Sequence, residues 1–63
     1  MPSTREINRM IRESKGKYVY LVQGPTSIRR IIHARTVQGR VEVRSLSTGS
    51  WIPIISTDRI EVR

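Results

Sequence analysis

The pair Gln38-Gly39 constrains this chain more than any other feature. It sits between Arg35-Thr36-Val37 and Arg40-Val41-Glu42-Val43, two runs in which polar and apolar residues alternate. Alternation is the period of a strand, and a glycine-containing pair between two such runs is the pattern of a two-residue hairpin. Counting outward from that turn sets Thr36 against Val41, Ala34 against Val43 and Ile32 against Ser45. The opposite side then pairs Arg35 with Glu42 and places His33 beside Arg44. A register that sorts both sides and brings opposite charges together specifies itself. The stretch 27–36 also admits a helical stripe of Ile28, Ile31 and Ile32, with Thr26 or Ser27 as N-cap. The hairpin decides for the strand.

The rest of the chain divides around this ribbon. Residues 3–15 read as a short helix. Ser3-Thr4-Arg5-Glu6 has the spacing of a capping box, and Ile7, Met10 and Ile11 recur on one helical stripe. Arg9 and Glu13 can pair along its surface, and Gly16 is a natural left-handed stop. So thin a stripe must dock on something else to hold the helix. Residues 17–23 combine aromatic and β-branched side chains in a strand run, which Gly24-Pro25 breaks. Thr48-Gly49 suggests a second tight turn. That turn sets Leu46 against Trp51, Ser45 against Ile52 and Val43 against Ile54, leaving Leu46, Trp51, Pro53 and Ile55 outward. Pro53 has no amide donor and therefore belongs on an edge or at a bulge. Ser56-Thr57-Asp58 is a turn, with one turn of 3₁₀ helix as an option. Residues 59–63 close the chain with Ile60 and Val62 inward.

The expectation is a single domain, 1–63, that is mainly β: five strands preceded by a short N-terminal α-helix. The stretch from Gly49 to Ile60, through Trp51-Ile52-Pro53-Ile54-Ile55 and Ser56-Thr57-Asp58, resembles the fourth strand, connecting turn and fifth strand of an SH3-like (Tudor-like) barrel. The resemblance is architectural and spans residues 17–63. It implies a five-stranded barrel and a binding role, since a fold alone does not carry a function. With Tyr18, Tyr20 and Trp51 as its only aromatics, the chain has no clear cage for methylated residues and too few rings for a proline-binding groove.

Composition narrows the function. At 63 residues the chain is one small domain, of the size that buries only about 60% of its unfolded surface. It has no cysteine, hence no disulfide framework and no thiolate metal site, which fits a reducing cytoplasm. No apolar run approaches the length of a membrane helix, and the start at Met1 lacks the apolar stretch of a signal peptide. The Met1 start without a tag reads as a complete small product. Catalysis is not expected. His33 is the sole histidine, and the serines lie in no nucleophile-elbow pattern. The five carboxylates are scattered among basic neighbours, and there is no phosphate-binding glycine loop. No cofactor or metal is implied.

Charge is the loudest signal. Twelve basic residues oppose five acidic ones, for a net +7, and all the basic residues except Lys15 and Lys17 are arginine. Arginine offers a planar fork of donors for phosphate and stacks on bases. By alternation, Arg29, Arg35, Arg40 and Arg44 share the outer side of the hairpin, offset only by Glu42. Arg30 points the other way and should lie near a strand end or bulge. Arg5, Arg9 and Arg12 read as a solvated helix face, with Lys15 and Lys17 at its exit. Trp51 is either the largest piece of core or an outward stacking platform, and His33 either fills space on a strand face or joins the phosphate contacts. The expected function is a largely sequence-tolerant DNA- or RNA-binding module using Arg29, Arg35, Arg40, Arg44, Trp51, His33, Lys15 and Lys17. The alternative is an assembly factor, of the kind small phages and mobile elements carry, that docks on an acidic protein or forms a homodimer. Membrane binding through so thin a helical stripe is not expected.

Overall fold

The computed structural model describes residues 3–63. Its helix, α1 (Thr4–Glu13), starts at the capping box. The Ser3 hydroxyl accepts the Glu6 amide at 3.2 Å, and the Glu6 carboxylate takes the Ser3 amide at 3.5 Å. The helix stops two residues short of the expected end. Ser14 turns its hydroxyl onto the Ile11 carbonyl at 3.2 Å, a local bond that competes with helix continuation. Gly16 then takes the left-handed conformation at φ 70°. Arg9 and Glu13 form no ion pair among the described residues.

Five antiparallel strands follow: β1 (Val19–Val22), β2 (Ile28–Val37), β3 (Arg40–Ser45), β4 (Trp51–Pro53) and β5 (Arg59–Val62). Their spatial order is β4-β3-β2-β1-β5. The fold is therefore mainly β with one short helix. β4 and β5 are the two outer strands, and no ladder joins them, so the sheet is not closed into a barrel. The doubtful stretch 27–36 is strand from Ile28 onward.

The β2–β3 hairpin has the expected register near its turn. Thr36 faces Val41, Arg35 faces Glu42, Ala34 faces Val43 and His33 faces Arg44. Gln38 and Gly39 both have positive φ, 51° and 75°, the geometry of a two-residue turn matched to strand twist. The register then departs from expectation. Ser45 faces Ile31, not Ile32, because a bulge lies between Ile31 and His33. The extra residue reverses the alternation upstream of it. Ile31 is buried at 2% exposure, while Ile32 is pushed out to 38%. Strict counting missed this because Ile31 and Ile32 are equally apolar, and only packing tells them apart.

The connection from β3 to β4 is also longer than a two-residue turn. It spans residues 46–50, closed by Ser45 N–H to the Ser50 carbonyl at 3.0 Å and Gly49 N–H to the Ser45 carbonyl at 2.9 Å. Gly49 is left-handed at φ 72°. Trp51 consequently faces Arg44, Ile52 faces Val43 and Pro53 faces Glu42. This is a slip of two residues from the expected pairing. A two-residue slip preserves sidedness, so Trp51 still points outward while Leu46 moves into the loop. Pro53 lies on an outer strand, where its missing donor costs no ladder bond. The connection to β5 is a plain turn, without 3₁₀ helix. There the Asp58 carboxylate, buried at 8% exposure, accepts from the Ile55 amide at 3.1 Å and the Gln23 side chain at 3.3 Å.

The core is one cluster of Ile7, Val19, Leu21, Ile31, Ala34 and Val43, flanked by Met10, Ile11, Val41, Ile52, Ile54 and Ile60. Val62 shares the side of Val19, its cross-strand partner, yet remains 40% exposed at the strand end. The helix stripe supplies Ile7 to this core. It also solves a backbone problem. β1 pairs only with Ile28–Arg30, which leaves the second half of the longer β2 without a partner strand on that side. Asn8 fills the gap. Its carboxamide accepts the Ala34 N–H at 2.9 Å and donates to the Ala34 carbonyl at 3.0 Å. One turn earlier, the hydroxyls of Thr4 and Thr36 meet at 2.7 Å.

Candidate nucleic-acid interface

The outer side of the hairpin gathers most of the expected site residues. His33 and Arg35 from β2 face Arg44 and Glu42 from β3, which in turn face Trp51 and Pro53 from β4. Arg40 follows the turn, opposite Val37. The Arg35 guanidinium lies 4.1 Å from the centre of the Trp51 ring. Glu42 holds it there through Nε at 2.9 Å and a second nitrogen at 2.8 Å. An ion pair this exposed adds at most about 1 kcal/mol of stability, so its main effect is to orient the guanidinium. His33 meets the Trp51 ring edge-on, with centroids 5.8 Å apart and planes at 86°. Arg44 is tethered by its Nε to the Gly49 carbonyl at 3.2 Å. Trp51 is half-buried: it is neither a core residue nor a free ring, and sits with the Arg35 guanidinium over it and His33 against it edge to face.

Three expected members lie elsewhere. Arg29 faces Leu21 across the β1–β2 ladder, and directly paired residues share a side of the sheet. Leu21 is fully buried, so the bulge has put Arg29 on the side opposite Arg35 and Arg30, opposite Tyr20, on the outer side instead; of the four arginines expected to share the hairpin face, Arg35, Arg40 and Arg44 remain. Lys15 and Lys17 sit in the turn after α1, where Lys17 joins a second cluster. In that cluster the Arg30 guanidinium lies 3.6 Å from the centre of the Tyr18 ring, and Tyr18 is 49% exposed.

Two shallow grooves run between these clusters. One, about 280 Å³, is lined by Asn8, Ile11, Arg12, Ile32 and His33. The other, about 220 Å³, includes Ile11, Lys17, Tyr18, Arg30 and Ile32 in its lining. Ile11 and Ile32 line both, so the two grooves adjoin. Arg12, Tyr18, Arg30 and Ile32 are the residues that sequence reasoning did not assign to a site. The signal for Ile32 was absent, since nothing in the sequence marks the bulge. Arg30 was marked only as out of step with Arg29.

The remaining arginines of the sheet are locally occupied. Glu61 takes Arg63 at 2.8 Å and Arg59 at 3.3 Å. The hydrogen bond from Arg63 is the main reason the Glu61 carboxyl sits below its ordinary range, with the charge of Arg59 adding to it. A groove of about 530 Å³ lies beside these residues, against Val22, Ile28 and Thr57, with no aromatic side chain in its lining. No helix among the described residues is long and apolar enough to cross a membrane. The chain matches no protein-family model, no curated protein and no solved structure.

Proposed function

We propose that this chain is a small nucleic-acid-binding module that grips phosphates with Arg35, Arg40 and Arg44 and stacks bases against the Trp51 cluster. The observation that carries the reading is the Arg35–Trp51 stack at 4.1 Å, fixed by Glu42 and flanked by Arg44 and His33. Three arginines crowd one side of a ribbon against a single glutamate, an arrangement that repels itself until a polyanion neutralises it. The contacts in this reading, guanidinium to phosphate and aromatic ring to base face, do not depend on base identity, so recognition is largely sequence-tolerant. The strand order, with β1 between β2 and β5, supports reading the fold as an SH3-like barrel left open between β4 and β5. A cytoplasmic setting goes with this reading, because the chain has no cysteine to oxidise.

The test is fluorescence anisotropy with labelled DNA and RNA across salt. Binding should weaken steeply as salt rises, because each phosphate contact releases counterions. The Arg40→Ala, Arg44→Ala double variant should reduce the slope of log K against log salt by about 2. Millimolar or weaker affinity at low salt, or affinity indifferent to salt, would overturn the reading. The second reading, self-association or docking on an acidic protein, is favoured by the unpaired outer edges of β4 and β5 and by Ile55 at 59% exposure. Sedimentation showing a dimer, with no anisotropy change on adding nucleic acid, selects it.

A further inference from the structure

We infer that the ligand of this surface is single-stranded nucleic acid, running from the Trp51–Arg35 stack along the groove between α1 and β2 to a second stack at Tyr18–Arg30. The inference rests on the proposed function above and names its substrate class. Both ends of the track carry the same device, an arginine guanidinium placed over an aromatic ring, at 4.1 Å and 3.6 Å from its centre. Between them lie two adjoining grooves that share Ile11 and Ile32 in their linings, with Arg12 and His33 beside one and Lys17 beside the other.

Three features choose a single strand over a duplex. Bases in a duplex are stacked on one another, so rings and guanidinium planes gain little from them. Unstacked bases offer their faces freely to aromatic side chains. The middle of the track is also apolar. Ile32 is displaced by the bulge to 38% exposure, where it serves a base face and does nothing for a phosphate backbone. Finally, the cations alternate with these surfaces. Lys17 and Arg30, then Arg12, then Arg35 and Arg44 follow one another along the track, the pattern of a basic groove with interleaved stacking platforms. Arg59 and Arg63 line neither of these two grooves; they flank the separate groove of about 530 Å³, which has no aromatic side chain in its lining. The molecule is 32 Å in its longest dimension, which suits a site of roughly four to eight nucleotides, the short end of the range for such domains.

The experiment titrates the full chain with two-, four- and eight-nucleotide oligothymidines, with oligouridine of the same lengths, and with a blunt duplex. Anisotropy and the fluorescence of Trp51, the sole tryptophan, are the readouts. The octamer should quench Trp51 and bind at least about tenfold tighter than both the dinucleotide and the duplex; the uridine arm separates DNA from RNA. Tyr18→Ala should weaken the octamer by about 5- to 100-fold and leave the dinucleotide and duplex unchanged, while Tyr18→Phe keeps the affinity. Should Tyr18→Ala lose its fold by circular dichroism, Ile32→Asp tests the same path from an exposed position and should weaken the octamer about tenfold. Duplex binding as tight as octamer binding, or neutral Tyr18 and Ile32 variants, overturns the single-strand track yet leaves the arginine face standing. Loss of all salt-dependent binding removes both.

Discussion

Asn8 does for β2 what another strand would otherwise have to do. A backbone amide and carbonyl at the side of a strand need partners unless water reaches them. At Ala34 the Asn8 carboxamide supplies one acceptor and one donor in the same plane, at 2.9 and 3.0 Å. The residue is a poor helix former, so its presence mid-helix is explained by this contact and not by propensity. Ala34 is 1% exposed, so removing Asn8 leaves both of its backbone groups without a ready replacement. Asn8→Ala should therefore cost about 1–3 kcal/mol, read as a fall in the urea midpoint with an unchanged m-value. Asn8→Asp keeps the acceptor, loses the donor and sets a carboxylate against a carbonyl, so it should be no better than alanine. If Asn8→Ala unfolds at the wild-type midpoint, α1 is not what protects the free side of β2.

The elements divide into those whose geometry follows from local chemistry and those set by packing. The Gln38-Gly39 turn belongs to the first kind. Both residues have positive φ, and a Cβ built on Gly39 meets nothing within 4 Å. Gly39→Ala should thus be penalised by backbone strain alone, about 1–2 kcal/mol. Gln38→Asn, which suits the left-handed region better, should raise the melting temperature. A neutral Gly39→Ala variant would mean that the turn relaxes to another type. The near-turn register, the capping box and the left-handed Gly16 were legible because each depends on a few adjacent residues with distinct chemistry, whereas the earlier helix end at Ser14 was not. The bulge at Ile31–His33 was not, because it exchanges one isoleucine for another. Its consequence reaches function: Arg29 leaves the hairpin face and Ile32 enters the groove. The five-residue β3–β4 loop escaped notice for a related reason. Ser45, Ser47, Thr48 and Ser50 all suit a turn, and the choice among them falls to hydrogen bonds such as Gly49 N–H to the Ser45 carbonyl. Only the even size of that slip preserved the outward Trp51.

At the scale of the molecule, charge and core oppose each other. The fully buried apolar cluster is small, and a domain of this size is stable by only about 3–9 kcal/mol. The net charge of +7 is spread over a body with a radius of gyration of 10.7 Å, which is close to the screening length of about 10 Å at 0.1 M salt. Most of the positive charges therefore sense one another at low salt and are screened at high salt. Two opposite salt dependences follow. For the free protein, sodium chloride raised from about 0.01 to 0.5 M should increase the melting temperature, as self-repulsion between the arginines is screened. A gain of about 1 kcal/mol corresponds to roughly 4–8 °C for a domain this small. Sodium chloride is the right salt, because sulfate would also strengthen apolar burial and confuse the cause. With an octanucleotide in excess, the low-salt melting temperature should instead be raised by binding to the folded state, and that increment should shrink as salt weakens the phosphate contacts. The two melting curves, free and bound, should converge near 0.5 M salt. Parallel curves would show that binding does not run through the arginines, and a free-protein melting temperature indifferent to salt would show that repulsion among the arginines does not limit the stability of the free fold.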